Sequence, residues 1–203
     1  MTKVSPIKKT LPVTLNRFGD LETLFTGKGC SFARGCWCMG YRETRHPKAT
    51  PGASVPEQRK AALRALCGQT PAPGLIGYDA SNKPLGWVAA GPRETFPRLQ
   101  RSPVMRPVDD QPTWAVVCFV VPTPHRGQGI AGALLRSAIA YAAAHHASMI
   151  EGFPIDKPNR SQDQWLWHGA RIMFDQAGFQ EVARRKPERP VMRLCLNGKR
   201  GAR

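Results

Sequence analysis

The residues best able to do chemistry in this chain lie between positions 119 and 151. Arg126-Gly127-Gln128-Gly129-Ile130-Ala131-Gly132 follows an apolar, β-branched run, Trp114–Val121. It precedes Leu134, Leu135, Ala138, Ile139 and Ala142, which recur at spacings of three and four. The pattern predicts a strand buried on both faces, a glycine turn and an amphipathic helix. Pro122, Pro124, Gly127 and Gly129 prevent either element from simply running through the turn. A glycine turn that opens a helix directly after a buried strand aims several backbone N–H groups outward, and the helix dipole adds partial positive charge. The chemistry expected here is anion binding, with a phosphate-bearing ligand held at residues 126–132.

Other reactive residues fall outside the strand, turn and helix. Glu151 is the one acid in the apolar run Ser148–Ile155. Apolar neighbours raise a carboxyl pKa, so Glu151 is a candidate general base, with a structural salt bridge as the alternative. Cys30, Cys36 and Cys38 lie in CSFARGCWCMGYRETR among Trp37, Met39 and Tyr41. In a strand Cys36 and Cys38 would face the same way. The segment reads as a strand of buried cysteines packed on aromatics, as part of a substrate pocket, or as a zinc site completed by His46 or Cys67. The spacing lacks the paired knuckles of a zinc module, and no metal is expected. His168 could line a pocket; His145 and His146 fall at a helix end, where dipole capping accounts for them.

Around these residues the chain supplies a sequence of positioning elements. Residues 1–10 read as a loose basic tail, Leu11–Leu15 as a short strand and Asp20–Phe25 as a short helix. Pro56 opens a helix closed by Gly68, with Glu57 in its first turn. Gly74–Asp79 and Lys83–Gly91 form a hairpin across Ala80-Ser81-Asn82. Residues 92–110 carry four arginines and no clear period, the mark of a functional or mobile loop. After the central unit come a strand within Ser148–Ile155, a polar loop at Asp156–Asp163 and a helix over Trp165–Ala177 with Gly178 as its cap. Strands at Phe179–Ala183 and Val191–Leu196 finish the order.

The 203 residues hold 30 Lys and Arg against 14 Asp and Glu, a net charge of +16, with 41% hydrophobic residues. That describes a chain able to build a core and attractive to anionic partners. The basic residues are spread out, with one dense cluster at Arg184, Arg185, Lys186 and Arg189. No apolar run reaches the roughly 20 residues that span a bilayer, and the N-terminus lacks a signal-peptide core, so a cytoplasmic location with reduced thiols is expected.

The motif at 126–131, the hairpin before it and the segment Met173–Val182 (MFDQAGFQEV) resemble the GNAT superfamily of N-acetyltransferases. GCWCMGYR is also similar to an N-terminal segment in bacterial acetyltransferases. The resemblance implies an α+β (mixed α/β) single-domain fold over 1–203, with 197–203 a second flexible tail. It implies a mostly antiparallel sheet with one parallel β-α-β unit, flanked by helices. It further implies acetyl-CoA as co-substrate. Phe119, Val120 and Val121 would meet the pantetheine amides, and Arg126, Gly127, Gln128, Gly129, Ile130, Ala131 and Gly132 would cradle the pyrophosphate. The activity implied is direct acetyl transfer to a primary amine of a small molecule or a protein, with Glu151 as base and backbone N–H at the splayed end of the central strand for the oxyanion. Phe174 stands where the family often has a proton-donating tyrosine, which leaves Tyr41, Cys118 or water for that role. Glu43, Glu94, Asp109 and Asp110 could supply acids for a cationic acceptor. The alternative function is a non-catalytic CoA-binding or nucleic-acid-binding regulatory module on the same fold; homodimerisation stays open.

Overall fold

Seven strands form one sheet in the order β1-β2-β3-β4-β5-β7-β6 in the computed structural model, which describes residues 5–156 and 167–196. The strands are β1 (Lys9–Pro12), β2 (Gly74–Tyr78), β3 (Pro84–Pro92), β4 (Trp114–Val120), β5 (Met149–Gly152), β6 (Gln180–Arg184) and β7 (Pro190–Cys195). The helices are α1 (Phe18–Thr26), α2 (Ser31–Cys36), α3 (Val55–Leu66), α4 (Pro97–Gln100), α5 (Ile130–Ala144) and α6 (Arg171–Asp175). Every neighbouring pair is antiparallel except β4 and β5, which run parallel and are joined through α5. A parallel pair needs such a crossover, and the 15-residue α5 provides it.

Local chemistry explains the elements that frame the centre. The β2–β3 turn is closed by Asp79, whose Oδ1 accepts from the backbone N–H groups of Ser81 and Lys83. Helix α3 starts at a capping box, in which the Ser54 N–H donates to Glu57 Oε2 at 2.7 Å. Strand β4 is buried along its whole length because helices cover both faces of the sheet. On one face Phe18, Leu21, Phe25, Trp37 and Leu63 pack against Trp87, Ala89 and Val117. On the other, Leu134, Leu135, Ala138 and Phe174 pack against Val88, Val116 and Phe119.

Strand β4 is not regular. Ala89 pairs with Cys118 and Ala90 with Val116, so Val117 is an extra residue, a β-bulge. Val117 and Cys118 consequently both join the core on the α1–α3 face, and Phe119 turns to the opposite one.

Four sequence expectations need correction. Residues 8–10 are not a loose tail, since the Lys8 N–H donates to the Tyr78 carbonyl and Lys9 and Thr10 belong to β1. The cysteine segment is not a strand: it is α2, closed by Trp37 and Cys38 in left-handed conformations (φ 46° and 44°). The late helix is shorter than Trp165–Ala177, because Gly169 at φ 79° precedes a helix that begins at Arg171. Its predicted start at Trp165, like most of the polar loop after Asp156 and the tail 197–203, lies outside the described residues. Finally, the 92–110 loop contains the short helix α4.

Gly152 marks how tightly the second core is closed. A Cβ there would overlap the ring of Phe174, which is fully buried against Phe119 and Phe179. Gly152→Ala is expected to destabilise the protein by about 1–3 kcal/mol through overpacking, read from a denaturant melt.

Candidate functional site

The parallel pairing of β4 and β5 extends only from Trp114↔Ile150 to Val116↔Gly152. Beyond it the strands separate, and the next bridge from the β5 side runs from Ile155 to Ala170 instead. The end of β4 past the bulge therefore lies open on one edge. Phe119, Val120 and Val121 line a cleft there of about 220 Å³, together with Arg126, Gly127, Gly129, Ile130, Ala131 and Gly132. Of the sequence-predicted binding residues, all but Gln128 line it; the Gln128 side chain donates to the Pro124 carbonyl at 3.1 Å.

The glycines are required by backbone shape. Gly127 and Gly129 have φ 70° and 74°, and Gly129 is the residue on which α5 begins. The first N–H groups of α5 have no intrahelical acceptor, and no acid occupies its first turn. This end of α5 is consequently a set of unopposed donors with a positive dipole end. The Arg126 guanidinium is committed to carbonyls instead, with Nε donating to Val121 and Nη2 to Gly29, both at 3.1 Å. Gly29, at φ 81°, is held so close to Thr123 that any Cβ would overlap its side chain. The loop before α2 is thereby clamped to the turn.

A second cleft, of about 570 Å³, shares Phe32 and Trp167 with the first. Its walls come from the cysteine segment, through Cys36, Gly40 and Tyr41, and from the arginine loop, through Arg98, Arg101 and Met105. The Phe32 and Trp167 rings stack at 4.9 Å between centroids. Tyr41 Oη and His168 Nε2 share a hydrogen bond at 3.0 Å. Burial pushes the Tyr41 phenol up to about 12 and pulls His168 down to about 3, so both are neutral at pH 7. The unfolded chain takes up a proton on His168 near pH 6.5, and the folded ring refuses it. Stability is therefore expected to fall as pH drops from about 6.5 toward 3, with a shallower fall in His168→Gln, measured by urea melts at pH 7 and pH 5.

Glu151 is not in apolar company. It is 1% exposed, and Arg93 Nη1 donates to its Oε2 while Arg193 donates to its Oε1 at 2.7 Å. Arg193 also holds Asp109 at 2.6 Å, and Arg93 donates to the Met105 carbonyl. The expected base is thus the centre of a buried ion-pair chain that fixes residues 105–109, and it lines neither cleft. Arg185 adds to the anchoring by donating to the carbonyls of Val104, Arg106 and Pro107. The 92–110 loop is accordingly pinned as a wall of the second cleft.

The other candidates sort by burial. Cys118 is buried, with its sulfur 3.6 Å from that of Cys38, and lines neither cleft. Trp87 Nε1 donates to the Cys38 sulfur at 3.2 Å. Among the described residues no three His, Cys, Asp or Glu side chains converge as a metal site would need. Glu43 is taken by Arg59, Asp109 by Arg193, and neither Glu94 nor Asp110 lines the second cleft. The dense basic cluster is also partly spent, since Arg184 pairs with Asp156 and Glu181. Sequence reasoning missed Phe32, Trp167 and Arg93. Phe32 alone had a local signal, an aromatic inside the cysteine segment.

The opened central strand, the glycine turn and the N-terminus of α5 thus border one cleft. The model of the acetyltransferase (GNAT) family matches residues 41–164, more than half of the chain. The chain belongs to the GNAT acetyltransferase family. No curated protein sequence matches it. Among solved structures, it is similar to arylalkylamine N-acetyltransferase 2 from Aedes aegypti (9% identity, TM-score 0.53, 93% of this chain and 99% of that one). It is similar to a GNAT-family acetyltransferase from Listeria monocytogenes (10%, 0.54, 93% and 94%). It is also similar to a putative acetyltransferase from Salmonella typhimurium solved with its cofactor acetyl-CoA (14%, 0.51, 95% and 96%). At these identities the likeness is one of fold. Among the described residues no helix is long and apolar enough to cross a membrane.

Proposed function

We propose that this protein is an acetyl-CoA-dependent N-acetyltransferase that passes the acetyl group directly to a primary amine. The observation that carries the reading is the continuity of the open edge of β4 with the unopposed N–H groups of α5. That edge offers backbone partners at Phe119–Val121 for the pantetheine amides, and the turn at Gly127–Gly132 offers N–H donors for the pyrophosphate. The donor set fits the ligand: glycine at φ 70° and 74°, no acid in the first turn of the helix, and a Gly127 whose Cβ direction is open to 4 Å.

In the transfer, the amine nitrogen bonds to the thioester carbonyl carbon, and the carbon–sulfur bond breaks with its electron pair on sulfur. The proton lost by nitrogen balances the one gained by the thiolate, giving an amide and free CoA. Backbone N–H groups at the bulged, splayed part of β4 serve the oxyanion. Tyr41 is the proton donor to sulfur, kept neutral by burial and oriented by His168. Glu151 serves as a positioning group that holds the 105–109 wall. The reading is tested by calorimetry with CoA and acetyl-CoA, followed by an amine-panel assay of CoA release. Absence of both heat and thermal shift overturns it. The nucleic-acid alternative predicts binding with a steep salt dependence. The pairing of Arg184 with Asp156 and Glu181 counts against it.

A further inference from the structure

The second cleft carries charge of one sign. Arg98 and Arg101 stand on its wall, and among the described residues no carboxylate lines it. Each is fixed by a backbone carbonyl: Arg98 Nη1 donates to Gly40 at 3.0 Å and Arg101 Nη2 to Thr44 at 3.1 Å. A carbonyl orients a guanidinium without neutralising it, and each fork keeps donors to spare. This differs from Arg59, Arg93, Arg171, Arg184 and Arg193, all of which end on carboxylates. A third cation stands behind the cleft. Arg189 donates to the Met105 sulfur at 3.7 Å, leaves its buried Nε without a hydrogen bond, and acts electrostatically on both Tyr41 and His168.

We propose, on the basis of the acetyl-transfer reading above, that the acceptor is a small primary amine that also carries an oxyanion group, carboxylate or phosphonate, on an apolar body. The oxyanion meets the forks of Arg98 and Arg101, a geometry guanidinium matches by paired N–H donation. The apolar body lies on the Phe32–Trp167 stack and Met105. The amine then faces the shared boundary of the two clefts, where Phe32 and Trp167 line both. The same field solves a second problem. An amine must be neutral to attack, and nearby cations disfavour its protonated form. The arginines thereby raise the neutral fraction of the bound amine at a site where Glu151 is already occupied by Arg93 and Arg193. Its proton leaves to water.

The test uses matched amines that differ only in the anion, phenylalanine against phenethylamine and 3-aminopropylphosphonate against propylamine, with acetyl-CoA saturating and CoA release as the readout. The expected result is a kcat/KM at least about tenfold higher for the anionic member of each pair. The ratio should collapse toward one in Arg98→Ala/Arg101→Ala, while calorimetry shows acetyl-CoA affinity unchanged. Both arginines are exposed, so the variant folds. The comparison of carboxylate with phosphonate identifies the oxyanion. A preference for the anion-free amines, or an unchanged ratio in the double variant, overturns the proposal and leaves acetyl transfer standing. If no panel member is acetylated, calorimetry on the CoA-loaded protein decides, and no binding of either anionic amine overturns the proposal. Failure to bind acetyl-CoA overturns the coenzyme reading instead.

Discussion

Gly129→Asp is expected to lose CoA affinity by at least about a hundredfold, or roughly 2.7 kcal/mol. The residue sits at φ 74° where α5 begins, so any side chain is strained and an acidic one also places negative charge among the N–H donors. Gly129→Asn separates the two effects. Asparagine has nearly the same shape and tolerates the left-handed region, so it should lose far less. Calorimetry with CoA gives both numbers. Both side chains carry a similar left-handed strain, so the melting temperatures of the two free variants should fall alike, by a few degrees at most. Equal loss in the two variants would mean that shape, not charge, governs the turn, and the anion reading would fail.

Glu151→Ala is expected to cost about 3–5 kcal/mol of stability, because it leaves Arg93 and Arg193 as buried like charges without their partner. For a chain of this size that is a fall of roughly 6–20 °C in Tm. Burial already pulls the Arg93 pKa down, and Glu151 opposes it more strongly than Asp109 does. Glu151→Gln keeps the shape and loses the charge, and should fall between the wild type and the alanine variant. Thermal melts at pH 7 measure all three. If Glu151 were instead a free base, both variants would keep their melting temperatures and lose only kcat. That outcome would sink its assignment as an anchor.

The parts of this protein that follow local periodicity were legible in its sequence. The β4 strand, the glycine turn and α5 appeared nearly at their observed limits, because burial on both faces and a helix of 15 residues leave strong patterns. The β2–β3 hairpin was legible from its turn residues. The cysteine segment was misread because Cys36 and Cys38 imitate a strand over three residues, too short a stretch to fix a period. What closes α2 is a pair of non-glycine residues at positive φ, held there by Phe18 stacking on Trp37, by Phe25 packed at a tilt against the same ring and by Trp87 bonding to Cys38. None of that is local. Glu151 looked like an acid in an apolar strand because its partners, Arg93 and Arg193, are 58 and 42 residues away. The cysteine segment and the arginine loop line the second cleft, but its charge was not legible, since the acids of the flanking loops turn to other arginines.

The extra residue at Val117 has a consequence for how the central strand is read along its length. Upstream of it, Ala115 points to one core and Val116 to the other; downstream, Phe119 and Val120 divide the same way but half a period out of step. The strand thus keeps two independent phases. Its first half answers to the packing of the sheet, while its second half sets which carbonyls and N–H groups reach the open edge. Deleting Val117 would merge the phases into one regular alternation, with Phe119 still on its own core, and would remove the kink that separates the two halves of the strand.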